Sequence, residues 1–116
     1  MADLSADTLF DAAVRILLLE RSLVITFDAG NTIRIKLPIT RRIAEFLGIP
    51  HYLVLRSFAL LEQEELVIKA ERAGIVTTKT GSRRMIRIMQ ERYRKETESI
   101  LGVQVFEELV RRTGSP

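Results

Sequence analysis

The sequence predicts an α+β fold, mainly helical, and three observations carry that prediction. Apolar residues recur at helical spacing over 5–21, 40–65 and 82–112. Two pairs of short strand-like runs, within 23–37 and 66–80, flank clusters of turn-forming residues and read as hairpins. Residues 41–68, RRIAEFLGIPHYLVLRSFALLEQEELVI, form helix on both sides of a Gly48-Ile49-Pro50 interruption. A chain that needed one long helix would not carry that break, so two helices meeting at a sharp angle are expected there.

The elements follow in order. From Ser5 to Arg21, Leu9, Phe10, Ala13, Val14, Leu17 and Leu18 form a helical stripe, with Ser5 placed to cap it and Asp7 in the positive first turn. Ile16 and Leu19 widen the stripe beyond one core face, a pattern that suits packing against a second chain. Runs Leu23 to Phe27 and Thr32 to Leu37 flank Asp28-Ala29-Gly30-Asn31. In the second run Ile33, Ile35 and Leu37 face one way, and Thr32, Arg34 and Lys36 the other, so one side is wet. Pro38 ends this hairpin.

Thr40 is expected to cap a helix from Arg41 to Leu47, Gly48 to supply a left-handed turn, and Pro50 to open a second helix running to about Glu65. Leu60, Leu61 and Leu66 continue the buried face of that helix. Leu66 to Ala70 and Ile75 to Thr78 are predicted strands around Glu71-Arg72-Ala73-Gly74. From Gly81 to Leu101 the spacing predicts one long helix, with Ile86, Met89, Tyr93 and Ile100 on its stripe and Met85 and Ile88 beside it as packing residues. Gly102 breaks that run, and Val103 to Arg112 form a last short helix. Over 83–89 a second reading stays open: RRMIRIM could be a strand paired with IVTTKT across Gly81-Ser82, although the charged QERYRKETES that follows favours helix.

Length and composition bound the rest. The 116 residues, 47% hydrophobic, suit a single domain spanning 1–116. The absence of Cys removes disulfides, thiolate catalysis and cysteine metal sites, and favours a cytoplasmic setting. No apolar run approaches the roughly 20 residues of a membrane helix. MADLSADTLF carries acids where a signal peptide would be basic, and the closing TGSP reads as a frayed tail. Of the 18 basic residues 14 are Arg, while Asn occurs once and Gln three times, a bias that leans towards a thermophilic source.

The Gly48 interruption fits a helix-turn-helix. That motif needs a small residue where the helices cross (Ala44), a residue tolerant of left-handed geometry (Gly48) and apolar pins (Ile43, Leu47, Ile49, Val54). With a hairpin following at once, the pattern is a winged helix, here with an extra N-terminal hairpin and a long C-terminal helix. The run IAEFLGIPHYLVLRSFALLEQEELVIKAERAGIVTTKTGSRR resembles the winged helix-turn-helix superfamily, and within it MarR-type and related bacterial and archaeal transcription regulators. The resemblance covers about residues 40–101. Glu65 stands where that family usually has glycine, VTTKTGSRR is similar to the family's handover from wing to C-terminal helix, and the hairpin at 23–37 replaces a single short strand.

The expected function is therefore a transcription regulator of double-stranded DNA, with the second helix in the major groove and the wing on the backbone. The outward positions of that helix are Pro50, His51, Tyr52, Leu55, Arg56 and Ala59. Among them Arg56 can fork onto a guanine edge, and His51 and Tyr52 can touch bases or phosphates. Arg41 and Arg42 lie near the expected path of the backbone, and Arg72 with Lys69 at the wing. Two residues depart from the pattern: Leu55 on the base-reading face and Ser57 at a position that wants an apolar pin. A homodimer is expected through 5–21 and 82–112, whose apolar surface exceeds what one small core absorbs. The rival expectation is a winged-helix adaptor for another protein, which Leu55 favours. No phosphate loop, Ser/His/Asp set or metal-ligand cluster is found, so neither an enzyme nor a cofactor is expected, and no polar cluster defines a small-effector pocket.

Overall fold

A computed structural model describes residues 4–114. Ser5 opens α1 (Ala6–Leu19) by accepting the Thr8 N–H at 3.1 Å, with Asp7 in the first turn as expected. The helix stops two residues short of the expected Arg21, because Arg21 turns left-handed at φ 51 and the Ser22 N–H closes back onto the Leu17 carbonyl at 3.0 Å. β1 (Ile25–Phe27) and β2 (Ile33–Ile35) pair antiparallel, Ile25 opposite Ile35, so the strands are shorter than the runs that predict them. Asp28 builds their turn: its Oδ1 accepts the N–H groups of Gly30 and Thr32, both at 2.9 Å, and its Oδ2 pairs with Arg34 at 3.0 Å. Ile33, Ile35 and Leu37 are buried and Lys36 is exposed, so the expected alternation holds.

α2 (Thr40–Leu47) and α3 (His51–Gln63) follow. Thr40 does not cap α2 as expected; Ile39 is the capping residue, without a side-chain bond, and Thr40 is the first helical residue. Its hydroxyl is instead held 2.8 Å from Nε2 of His51. At Gly48 the chain turns left-handed (φ 66); the Gly48 N–H donates to the Glu45 carbonyl and the Ile49 N–H to that of Ala44. This six-to-one closure ends α2 and leaves Pro50 extended, ready to start α3. Ile43, Ala44 and Val54 are buried in the core, with Leu47 and Ile49 packed against it. Leu61 and Leu66 are buried as expected, whereas Leu60 is turned outward. Ser57 is also buried, and its hydroxyl accepts the backbone N–H of Leu4 at 3.2 Å. A hydroxyl at that pin position is thereby accounted for: it ties the start of the chain to α3.

β3 (Val67–Ala70) and β4 (Gly74–Thr77) form the second hairpin, Val67 opposite Thr77. The segment leaving β2 lies alongside β4: Lys36 is bridged to Val76, and the Leu37 N–H donates to the Ile75 carbonyl at 2.9 Å. Buried hydroxyls complete the join. The Ile35 N–H donates to Thr77 Oγ1 (2.8 Å) and the Ser82 hydroxyl to the Ile33 carbonyl (2.5 Å). With the Ser82 proton so committed, the Thr77 hydroxyl donates to Ser82 Oγ, and every member of the chain is satisfied.

Residues 83–89 are helical, within α4 (Lys79–Arg92), which Thr78 caps by accepting the Gly81 N–H at 3.2 Å. The single long helix expected over 81–101 is broken at Tyr93 (φ −133, ψ 35), and α5 (Arg94–Leu101) begins beyond it. The break is held from a distance. Tyr93 donates its hydroxyl to Asp11 at 2.9 Å, and the Arg92 guanidinium bridges Asp7 and Asp11 at 3.1 and 3.0 Å. Gly102 (φ 88) separates α5 from α6 (Val103–Gly114), which folds back onto α4 and buries Phe106 and Leu109. Of the predicted tail TGSP, Thr113 and Gly114 belong to α6, and Ser115 and Pro116 lie outside the described residues.

The result is an α+β fold, mainly helical, in which one cluster of buried residues spans α1, β2, α2, α3, the second hairpin, α4 and α6. Met85, Ile88 and Met89 are part of that core. The radius of gyration, 13.5 Å, matches the roughly 13 Å of one domain of this length.

Candidate nucleic-acid interface

The outer side of α3 is exposed beside the second hairpin. Pro50, Tyr52, Leu55, Arg56 and Ala59 are all exposed, Tyr52 at 64% and Leu55 at 49%. The sequence-derived outward positions therefore lie outward, with His51 half-buried by its contact with Thr40. That contact joins the first turn of α3 to the first turn of α2 and fixes the leading end of α3.

The other expected contact residues divide into two groups. Arg41 is exposed at the start of α2, and Arg72 is exposed at the tip of the second hairpin, where it adopts φ 69. Lys69 is not at the tip; it sits opposite Ile75 and lines a groove between hairpin and α3 with Leu55, Ala59 and Glu62. Arg42 is drawn away from this face. Its Nε donates to Glu20 at 2.6 Å, and its guanidinium stacks 5.9 Å from the Phe46 ring centre, which also receives Arg15 at 5.1 Å. Arg42 thus fastens α2 to the end of α1.

Charge and grease are mixed on this side. Glu62, Glu64 and Glu65 cluster at the far end of α3, leaving its leading half without acids, and Glu71 stands next to Arg72 at the hairpin tip. The groove beneath Leu55 is largely apolar, continued by Phe58, Val67 and Ile75, and Ile39 at the head of α2 is 72% exposed. Lys36 was not expected here. Its bridge to Val76 brings it beside the second hairpin, and the only sequence signal was its place on the wet face of the first one.

Among the described residues no group of three or more His, Asp or Glu could hold a metal ion, and no helix is long and apolar enough to cross a membrane. No protein-family model matches the chain, and no curated protein matches it in sequence.

Proposed function

We propose that the protein is a winged helix-turn-helix regulator of transcription that binds double-stranded DNA. The observation that carries this reading is the leading half of α3: an exposed Tyr52 and Arg56 beside a hairpin that presents Lys69 and Arg72. The order helix, hairpin, helix, left-handed turn, helix, hairpin supports a winged helix with an extra hairpin, as does the bridge between Lys36 and Val76 that adds the segment after β2 to the second hairpin. In this reading α3 enters the major groove, Arg56 reads a base edge, Arg41 and Arg72 meet phosphates, and the setting is cytoplasmic. Neither catalysis nor a cofactor is part of it.

Homodimerisation belongs to the proposal on narrower grounds than the apolar spacing alone suggests. The apolar faces of the terminal helices are largely consumed within one chain, where Leu9, Phe10, Val14, Ile16, Phe106 and Leu109 are buried. Leu19 (72% exposed), Val103 and Val105 remain on the surface. A strict monomer in sedimentation at micromolar concentration removes the dimer from the reading.

The deciding experiment is a salt titration with random-sequence duplex DNA. If Arg41, Lys69 and Arg72 each neutralise one phosphate, the logarithm of affinity falls with a slope of about −2.7 against that of salt concentration. Affinity then drops roughly fortyfold between about 50 and 200 mM salt. Absence of duplex binding at the lower salt favours the second reading, an adaptor for another protein, which the exposed Ile39 and Leu55 beside the apolar groove support.

A further inference from the structure

A cavity of about 370 Å³ opens where the turn of the first hairpin, the start of α4 and the end of α6 meet. Asn31, Thr32, Lys79, Ser82, Arg83 and Arg112 line it, and no carboxylate does. These residues come from three segments far apart in the sequence, so no cluster is visible along the chain.

The cations gathered there are unfavourable for the protein alone. Lys79 and Arg83 are four residues apart on one face of α4, a spacing at which like charges repel. Both belong to the N-terminal half of the helix, where the backbone dipole opposes positive charge. The first turn of α4 has no acid to offset them, whereas α1 and α5 begin with Asp7 and Glu96. Among the described residues neither Lys79 nor Arg83 forms an ion pair. Arg83 is oriented instead, its Nε donating to the Thr113 carbonyl at 2.9 Å.

The nearby acids do not cancel this charge. Asp28 is committed to the Gly30 and Thr32 N–H groups and to Arg34. Glu108 is shared between Arg111 and Arg112, so it is outnumbered. Ser82 spends its proton on Ile33, which leaves the Thr32 hydroxyl and the Asn31 amide as the neutral donors on the rim.

We propose that this cavity binds a small phosphate-bearing ligand, with Lys79, Arg83 and Arg112 on its charged oxygens and Asn31 and Thr32 completing the shell. Charge-assisted bonds from Arg and Lys suit phosphate, and a polar lining of this size leaves little surface for a large ring system. The site does not depend on the DNA reading of α3. A nucleic-acid backbone offers the same phosphate chemistry, so the experiment separates the two sources.

Amide spectra of the full chain titrated with sodium pyrophosphate, at ionic strength held constant with sodium chloride, provide the test. The expected result is saturable shifts at Asn31, Thr32 and 79–83, weakened about tenfold in Lys79→Gln, the loss of one charge-assisted bond. Among the described residues the Lys79 ammonium makes no hydrogen bond or ion pair, so this variant keeps its spectrum; Lys95→Gln, an equal charge change elsewhere, leaves binding unchanged. Shifts that stay linear with concentration, or that respond equally to both substitutions, overturn the proposal. Shifts at these amides with a duplex oligonucleotide but none with pyrophosphate also overturn it, and give the cavity to nucleic-acid backbone.

Discussion

Gly48 and Glu65 close successive helices with the same left-handed turn, at φ 66 and φ 61, yet only one of them is glycine. After Gly48 the Ile49 N–H reaches back to Ala44; after Glu65 the Leu66 N–H reaches back to Leu61 at 2.9 Å, and the Glu65 N–H to Glu62 at 3.0 Å. The hydrogen bonds are equivalent, so the difference lies in the side chain. A β-carbon in this region costs about 1–2 kcal/mol, and the carboxylate of Glu65 also sits at the negative end of α3. Glu65→Gly relieves both and gives back part of the gain as unfolded-chain entropy. We expect a net stabilisation of about 0.5–1 kcal/mol in urea unfolding. Gly48→Ala should cost about 1 kcal/mol although nothing lies within 4 Å of the added carbon, because the whole penalty is conformational.

Gly81 presents the opposite case. Its backbone is ordinary helix, but an added β-carbon would stand 2.0 Å from the carbonyl oxygen of Leu66 and 3.0 Å from its carbon. Backbone atoms cannot step aside as a flexible side chain can. Relief would require moving α4 away from the end of α3, breaking the Ser82–Thr77–Ile35 chain of hydrogen bonds. Gly81→Ala is therefore expected to destabilise by at least about 2–3 kcal/mol, the upper range for overpacking, with loss of the folded amide spectrum as the visible extreme.

The contrast between these glycines also marks what could be read from the chain. Gly48, Pro50 and the stripe of Ile43, Ala44 and Val54 announce the α2–α3 pair, because caps and periodicity are local properties. The alternation of Ile33, Ile35 and Leu37 likewise gives the buried face of the first hairpin. Tyr93 was illegible as a helix break, since what holds it is Asp11, 82 residues earlier. The diversion of Arg42 to Glu20 and of Thr40 to His51 depends in the same way on contacts that spacing does not encode. Of the candidate interface, outward positions on α3 were legible and the partners of its charges were not.

Asp28 gives the fold a defined response to acid. The Thr32 N–H foremost holds its carboxyl below the ordinary carboxylate value; burial opposes this as the next-largest effect, and the Gly30 N–H and Arg34 add to the lowering. The folded state therefore favours the ionised form. That contribution is complete above the unfolded value of about 3.9 and is lost as pH falls through the lower folded value. Wild type should exceed Asp28→Asn in urea midpoint at neutral pH, and the two should converge in acid. Carboxyl carbon NMR should show Asp28 titrating below the free aspartate range; an ordinary value would remove the turn from the account of acid stability.

The two readings of the α3 face make opposite demands on Leu55 and Arg56. If the face reads DNA, Arg56→Ala should relax discrimination at one base position by about 1–3 kcal/mol, a fork lost from a guanine edge. Arg72→Ala should weaken binding to all sequences alike and flatten the salt slope by about one unit, as expected for a phosphate contact. Leu55→Ala, at a position 49% exposed, should change neither the fold nor non-specific affinity. If the face instead seats a protein, its centre is the apolar groove shared by Leu55, Phe58 and Ile75. Binding energy in such an interface concentrates in a few central apolar residues, while rim charges contribute little. Leu55→Glu would then abolish the complex while Arg72→Ala left it nearly intact. Anisotropy with duplex DNA for wild type and the four variants separates the cases: binding that weakens with Arg56→Ala or Arg72→Ala but not with Leu55→Ala supports the DNA reading, and no binding by any of them, wild type included, leaves the face to a protein.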